Sequence, residues 1–263
     1  MYKAQGISLD IKIIGISGFK GSGKDTVAQF IYSNYVNSDF PHFRTDVLET
    51  APDEPSYYFL SRSMASGIRD IVLDAFGIHY IDYGSKEVPN KLWSKRLKSK
   101  RGFSYRNMLN DVGQMFKKKY GPNFWVWQMK DRIRDFIDNQ VISNIINNRF
   151  PKNVYRPVVI VIPDIRFRQE IKMLENLKTF YNADVQHWLV LRDSALPAWA
   201  SYGLRLSDPL ERDIILNDFK PPIQELEWCR MNPKFRRVIR NDGTYQDIEK
   251  QITDIAKTLY KIE

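Results

Sequence analysis

The chain has 263 residues, of which 43% are apolar, enough for one α/β domain with a substantial buried core. It contains no run of about 18 apolar residues, so we expect no membrane-spanning helix. The single cysteine, Cys229, excludes an internal disulfide and a cysteine-based zinc site, and the three histidines (His42, His79 and His187) lie far apart without metal-ligand spacing. Residues 1–6 lack the apolar segment of a signal peptide, so we expect a reducing, cytoplasmic setting.

The positive charge of the chain is concentrated in one region. The net charge is +9, but residues 86–134 hold 14 Lys plus Arg against 3 Asp plus Glu, a local balance of +11 that leaves −2 for the rest. Such asymmetry predicts an anionic partner, either nucleotide phosphates or a nucleic-acid backbone. The alternative is a solvated lid whose basic residues only favour solubility.

A glycine-rich loop stands between a predicted strand and a predicted helix near the start of the chain. Residues 11–16 predict a buried strand, and residues 27–32 have the spacing of an amphipathic helix. The segment 15–26 reads GISGFKGSGKDT, a phosphate-binding pattern in the context that the pattern requires. Glycines let successive backbone N–H groups turn towards a phosphate, the helix N-terminus adds partial positive charge, and Lys24 can reach the β- and γ-phosphates. The residues predicted to bind the nucleotide are Gly18, Gly21, Ser22, Gly23, Lys24, Asp25 and Thr26.

One position of the loop departs from the common pattern. The residue after the lysine is usually Ser or Thr, whose hydroxyl ligates Mg²⁺, but here it is Asp25, with Thr26 one step later. The Asp25 carboxylate could hold the metal through water or accept a proton from an attacking hydroxyl. It could also be only a first-turn acid that the helix dipole favours.

The chain between residues 37 and 150 is predicted to be mostly helical. Ile68, Val72 and Phe76 recur at helical spacing before Gly77, and a glycine–proline pair at 121–122 separates two later helices. In chain order the predictions are a loop over 37–55 with a short strand near 43–48, a helix over 57–76, a basic connection over 78–103, and helices over about 105–120 and about 124–147.

The last third of the chain alternates strands with helices. Residues 158–162 are a continuous β-branched run, typical of a central parallel strand. Strands over 188–191 and 238–240 and helices over about 169–180 and 245–260 complete the pattern. The alternation predicts a single α/β domain over 1–263, a parallel sheet flanked by helices. To this domain we assign a basic helical lid or insertion over about 78–150 and a proline-containing excursion over about 193–235.

Asp164 and Arg166 follow the strand over 158–162. Ligands of such sheets lie at the carboxyl ends of the strands. There Asp164 could hold Mg²⁺ and Arg166 could neutralise a transferring phosphoryl group; alternatively they are an ordinary turn acid and its neighbouring arginine. The predicted catalytic residues are Lys24, Asp25, Asp164 and Arg166, the predicted metal ligands are Asp25, Thr26 and Asp164, and further candidates for phosphate or acceptor contacts are Arg69, Arg106 and Arg192.

The loop over 18–26 resembles that of the bacteriophage deoxynucleoside monophosphate kinases, including the Asp after the lysine. Residues 162–167 with Glu170 are similar to the Asp-x-Arg segment of that family, and 64–77, 105–113 with 125–126, and 238–243 line up in the same order. The resemblance implies a P-loop kinase fold with ATP and Mg²⁺ as cofactors. It also implies that Arg69, Arg106 and Trp125 face the acceptor.

The acceptor side departs from the family. Residues 113–115 read Gly-Gln-Met where these kinases often read Gly-Thr-Glu, and 193–234 is longer than expected. Related phage kinases phosphorylate 5-hydroxymethyluracil already built into DNA. A DNA backbone would use the charge of residues 86–134, and aromatic side chains could stack on an exposed base, flipped out if the substrate is a duplex. The aromatic residues of this region are Trp93, Phe103, Tyr105, Phe116, Tyr120 and Trp125.

The sequence therefore predicts an ATP-dependent phosphotransferase that moves the γ-phosphate onto a deoxynucleotide. The preferred acceptor is the hydroxymethyl group of 5-hydroxymethyluracil in phage DNA, on the route to hypermodified thymidines, in the host cytoplasm, with Asp25 and then Asp164 as candidate general base. The alternative is a kinase of free deoxynucleoside monophosphates. A remoter alternative is an ATP-hydrolysing DNA-binding switch, which would usually carry an acidic pair where Asp164 is followed by Ile165 and Arg166.

Overall fold

The computed structural model describes residues 2–4, 7–19, 21–36, 58–75, 105–147, 157–192, 194 and 236–260. Its elements are numbered here in chain order. The strands are β1 (Tyr2–Ala4), β2 (Ile7–Gly18), β3 (Tyr58–Ser61), β4 (Pro157–Pro163), β5 (Asp184–Leu191) and β6 (Arg237–Arg240). The helices are α1 (Lys24–Val36), α2 (Ser66–Ala75), α3 (Tyr105–Tyr120), α4 (Phe124–Asp135), a π-helical segment (Phe136–Ile142), α5 (Ser143–Asn147), α6 (Arg168–Tyr181) and α7 (Tyr245–Tyr260).

The sheet has β2 at its centre. Five parallel strands run in the order β3-β4-β2-β5-β6, and short β1 pairs antiparallel with the start of β2. The chain fills one side of β2 with β3 and β4 and then crosses to the other side for β5 and β6. Ligands of open α/β sheets bind at such a reversal of strand order, outside the carboxyl ends of the strands. The predicted fold class is confirmed as an α/β parallel sheet flanked by helices, with the glycine loop directly after its central strand.

The two central strands are buried on both faces, which explains their apolar sequences. Ile13 and Ile16 of β2 and the whole run 158–162 of β4 are 0% exposed. Strands covered by helices on both faces read as continuous apolar runs rather than alternating ones. One face packs with α1 and α7 through a cluster that includes Ile14, Ile16, Val27, Phe30, Ile31, Val161, Trp188, Ile239, Ile248 and Ile252.

The single helix predicted over 57–76 is wrong in its first part. Residues Tyr58–Ser61 form β3, which pairs in parallel with β4, Tyr58 opposite Val158, and the helix begins only at Ser66. The apolar residues that carried the helical spacing, such as Ile68 and Val72, all follow Ser66. A strand this short depends on a partner about a hundred residues later in the chain, so local spacing does not reveal it.

The helix predicted over 124–147 changes its winding midway. It is α-helical from Phe124 to Asp135, π-helical over Phe136–Ile142, and α-helical again over Ser143–Asn147. Within the π segment the buried residues are Phe136, Ile137, Val141 and Ile142. The two pairs stand five positions apart, the spacing of a π turn, and the wider turn therefore keeps both pairs on the buried face.

The chain divides into two compact units. One comprises Met1–Ser63 with Arg132–Glu263 and contains the sheet; the other is Met64–Asp131, with α2, α3 and most of α4. In the second unit the Trp125 Nε1–H donates to the Gly113 carbonyl at 3.2 Å, and the Phe116 ring contacts the rings of Tyr120, Phe124 and Trp125.

Several predicted segments lie outside the described residues. They are 37–55 with its short strand near 43–48, residues 78–104 and 148–150 of the predicted insertion, and all of the excursion over 193–235 except Ser194. Among the residues that are described, no helix has the length and apolar character needed to cross a membrane.

Candidate active site

The glycine loop has the backbone geometry that its sequence predicts. β2 ends at Gly18, and the Gly23 carbonyl accepts the first helical hydrogen bond of α1, from Val27 N at 2.9 Å. Gly21 has φ 82° and Gly23 has φ 93°, in the left-handed region that glycine occupies at little cost. Ser22 is 0% exposed, and its Oγ finds no hydrogen-bond partner among the residues that the structure describes. The turn with its buried hydroxyl thus directly precedes the N-terminus of α1, a setting suited to a phosphate.

Asn241, which directly follows β6, binds this loop through its side chain. Its Nδ2 donates to the Ser22 carbonyl at 2.7 Å, and its backbone N–H donates to the Leu191 carbonyl at 2.8 Å. In a trans peptide the C=O and the following N–H point in opposite directions. Because Asn241 binds the Ser22 carbonyl, the Gly23 N–H faces away from Asn241, as a phosphate-binding donor requires. A Cβ on Gly23 would collide with the Asn241 amide, so that position has no room for a side chain.

Lys24 is the first residue of α1, and its side chain folds back over the loop. Its Nζ donates to the carbonyl oxygens of Gly18 at 2.8 Å and Phe19 at 2.9 Å, and lies 3.4 Å from Asp164 Oδ1. The side chain is buried, and this burial lowers the pKa of Lys24, whereas the Asp164 carboxylate acts in the opposite direction. The ammonium group is therefore held beside the loop by acceptors that phosphate oxygens can replace.

Asp164 joins the loop to the end of β4. Arg166 Nε donates to Asp164 Oδ1 at 2.7 Å, so the same oxygen faces both Arg166 and Lys24. Asp164 has φ 75°, a strained conformation for a non-glycine residue that costs on the order of 1–3 kcal/mol. Such strain persists only where the surroundings impose it, often at functional sites. The structure thus brings together three of the four predicted catalytic residues, Lys24, Asp164 and Arg166, in a group with a net positive charge.

Asp25 and Thr26 lie in the first turn of α1, where Asp25 is exposed and Thr26 is partly exposed. Within the described part of the chain, no three His, Cys, Asp or Glu side chains cluster to hold a metal by themselves. Mg²⁺ commonly takes one or two carboxylates and completes its shell with phosphates and water. The hard oxygen donors of Asp25, Thr26 and Asp164 suit Mg²⁺ in that role.

The predicted acceptor-side residues occupy other places. Arg69 is exposed on α2, Arg106 lies on α3 and Trp125 on α4, all in the second unit, whereas Arg192 is exposed directly after β5 in the first. Trp125 is 5% exposed, which leaves little of its ring for a base. Two other aromatic side chains of the second unit are open to solvent, Tyr120 at 48% and Trp127 at 53%, and Trp127 was not among the aromatic residues singled out from the sequence.

A cavity of about 190 Å³ lies in the first unit at the carboxyl end of β3. Arg62 N donates to the Val161 carbonyl at 3.0 Å, so Arg62 extends the pairing of β3 with β4 by one residue. Val161 lies on β4, three residues before Asp164. Two guanidinium groups, one carboxylate and one amide line the cavity. Its residues are Phe59, Leu60, Arg62, Arg132, Asp135, Phe136 and Gln140.

Sequence reasoning missed several residues that support the site. Asn241 entered the sequence analysis only as part of the segment 238–243, and neither Ser17 nor His187 was proposed as a site residue. All three act through hydrogen bonds to residues far away in the chain. Glu170 carried a weak signal as an acid shortly after Asp164, and its Oε2 accepts hydrogen bonds from Arg166 N at 2.6 Å and Phe167 N at 3.0 Å.

No protein-family model and no curated protein sequence matches the chain. Among solved structures, a candidate kinase from Chloroflexus aurantiacus J-10-fl is 11% identical, with 97% of this chain and 98% of that chain covered and a TM-score of 0.38. APE1195 is 8% identical (96% and 98% covered, TM-score 0.35), and the dephospho-CoA kinase from Campylobacter jejuni is 11% identical (95% and 97%, TM-score 0.32). These likenesses carry no argument about what this chain does; the fold class rests on the strand order and the loop.

Proposed function

We propose that this chain is an ATP-dependent phosphotransferase that moves the γ-phosphate onto a deoxynucleotide acceptor. The observation that carries the proposal is the contact of Lys24, in a glycine loop at the centre of a parallel sheet, with an Asp164 oxygen that also accepts from Arg166. Phosphoryl transfer needs positioned positive charge more than covalent chemistry. A lysine and an arginine anchored on one carboxylate provide that charge.

In this proposal the loop binds the phosphates of ATP. The N–H groups of the loop and of the first turn of α1 face the phosphate oxygens, and the Ser22 hydroxyl gains an acceptor. Lys24 exchanges the Gly18 and Phe19 carbonyls for β- and γ-phosphate oxygens. When bound, Mg²⁺ neutralises phosphate charge, and Asp25, Thr26 and Asp164 would hold it.

We infer that the preferred acceptor is the hydroxymethyl group of 5-hydroxymethyluracil in DNA. The hydroxymethyl oxygen forms a bond to the γ-phosphorus, the bond from that phosphorus to the β–γ bridging oxygen breaks, ADP leaves, and the hydroxyl proton passes to a base. Asp25 suits the role of base better than Asp164, because Oδ1 of Asp164 already contacts Lys24 and Arg166, whereas Asp25 is exposed.

The charge and exposed side chains of the second unit support a DNA acceptor. Lys118 and Lys119 at the end of α3 are exposed, as are the rings of Tyr120 and Trp127. Cationic groups near stacking rings are the means by which proteins bind single-stranded or extruded bases. Residues 86–134, at a balance of +11, hold more charge than one free nucleotide needs.

A specific observation favours the second candidate, a kinase of free deoxynucleoside monophosphates. The cavity of about 190 Å³ with Arg62 and Arg132 is a concave space with the charge to receive a small phosphate-bearing acceptor. In this reaction the nucleophile is the phosphate of the monophosphate, which is already an anion. Positioning of the two substrates and neutralisation of their charge therefore suffice without a general base.

The experiment is a transfer assay with γ-labelled ATP and Mg²⁺. The acceptors are the deoxynucleoside monophosphates, DNA containing 5-hydroxymethyluracil, and plain DNA of the same sequence. Label on the modified DNA alone supports the preferred acceptor, and label on free monophosphates alone supports the alternative. ATP hydrolysis that requires DNA but labels no acceptor would instead identify the DNA-binding switch.

A further inference from the structure

We propose that Ser17 and His187 are positioning residues that fasten the Asp164–Arg166 turn to the end of β2. The inference rests on the proposed function, because the role it assigns is to hold Asp164 and Arg166 beside Lys24. Ser17 lies one residue before the end of β2, His187 lies on β5, and the turn follows β4. Three neighbouring strands therefore meet in this one contact.

The hydrogen bonds have one consistent direction. Ser17 is 0% exposed, and its Oγ donates to the Ile165 carbonyl at 2.8 Å. Because a hydroxyl has a single hydrogen, Oγ can only accept from His187 Nε2, which lies 2.7 Å away. The geometry therefore requires the Nε2–H tautomer of His187. Burial lowers the pKa of His187 to about 4, so the ring is neutral near pH 7.

Ile165 is tied to β2 through both of its backbone groups. Its N–H donates to the Ile16 carbonyl at 2.8 Å, while its C=O accepts from Ser17 Oγ. The Ile165 side chain is 0% exposed. The chain thus continues the pairing of β4 with β2 by two residues beyond Pro163, which pairs with Ile16.

These ties account for the strained turn. Asp164 has φ 75° and is followed by Ile165, tied to β2, and by Arg166 and Phe167, whose N–H groups bind Glu170. A residue keeps a strained backbone conformation only when the contacts of its neighbours hold the chain in place on both sides. Ser17 and His187 provide this on the Ile165 side, and Glu170 provides it after Arg166. Loss of the Ser17 hydroxyl frees the Ile165 carbonyl, so that the Asp164 carboxylate can leave Lys24.

The first test measures turnover and nucleotide affinity separately. We expect Ser17→Ala and His187→Phe each to lower kcat about 10- to 30-fold while the Kd for ADP changes less than about threefold, since the glycine loop keeps its own supports. Ser17→Thr, which keeps the hydroxyl, should recover most of kcat. The double variant should be no slower than the slower single variant, because both substitutions remove one linked contact. Circular dichroism and Tm identify any variant that fails to fold.

The second test does not require activity. The chain has three histidines, so ¹⁵N spectra of the imidazole groups can be assigned with His187→Phe. We expect His187 as the Nε2–H tautomer, with its signals altered by Ser17→Ala and restored by Ser17→Thr. The Nδ1–H tautomer, or a folded Ser17→Ala variant with unchanged kcat, overturns the proposal.

Turnover is measured in two ways, as transfer of label from γ-labelled ATP to the acceptor and as hydrolysis of ATP by water. Suppose that the unmodified protein labels no acceptor but hydrolyses ATP, and that the Ser17→Ala variant hydrolyses ATP more slowly. The proposed function then fails and the positioning role remains. If transfer occurs but Ser17→Ala leaves it unchanged, only the positioning role fails.

Discussion

The two compact units hold their functional side chains in different ways. In the sheet unit Lys24, Ser22 and Asn241 are buried. Lys24 Nζ donates to two carbonyl groups of the loop at 2.8 and 2.9 Å, and Asn241, 219 positions after Ser22, donates to the Ser22 carbonyl at 2.7 Å. In the second unit the cations Lys118 and Lys119 are exposed at the end of a helix. The first arrangement favours a single geometry, as transfer requires. The second favours attraction to an extended anion, which tolerates small displacements and weakens with salt.

The largest effect should come from the lysine of the loop. In the proposed function Lys24 faces the transferring phosphate, so we expect Lys24→Ala to lower transfer to every acceptor on the order of 10³-fold. The matched control is Lys172→Ala, which removes an exposed lysine of α6. Steady-state transfer rates check this, and full activity in Lys24→Ala would overturn the assignment of the loop.

A smaller effect should follow from replacing Asn241, which binds the Ser22 carbonyl of the loop. Asn241→Ala frees the Ser22 carbonyl, so the peptide that presents the Gly23 N–H can rotate. We expect ADP affinity to fall about tenfold, the equivalent of one hydrogen bond to a charged group. Titration with ADP measures the effect, with Gln246→Ala, at an exposed position of α7, as control. Equal affinity in both variants would mean that the loop holds its shape without Asn241.

The smallest effect should come from the surface charges of the second unit. For Lys118→Ala/Lys119→Ala we expect DNA affinity to fall a few-fold near physiological salt, and the log–log salt slope to decrease by about 2, one for each lost phosphate contact. The control is Lys172→Ala/Lys178→Ala, an exposed pair on α6. An unchanged slope in the first variant, with the ADP affinity intact, would show that this helix end is not part of the proposed DNA-binding surface.

The sequence predicted the elements whose signals are local. Four elements were predicted close to their observed bounds: the loop over 18–26, the strand around 158–162, and the helices α3 and α7. Each is marked by glycine spacing, a β-branched run or helical periodicity, and each of these signals is contained in a short stretch of sequence. β3 was missed because its identity depends on β4. Asn241, Ser17 and His187 have no pattern of their own, since each acts on a carbonyl or hydroxyl brought near only by the fold. The acceptor contact expected of Arg106 stays a prediction.

The most direct test of the central claim is single-turnover transfer of labelled γ-phosphate by the unmodified protein and by Asp164→Asn, with ADP affinity measured in parallel. Asparagine keeps the size of the side chain but removes the charge that anchors Lys24 and Arg166. The account predicts a rate at least about 100-fold lower in Asp164→Asn, with ADP affinity nearly unchanged. Equal rates in the two proteins would contradict it, because phosphoryl transfer would then not depend on the Lys24–Asp164–Arg166 group.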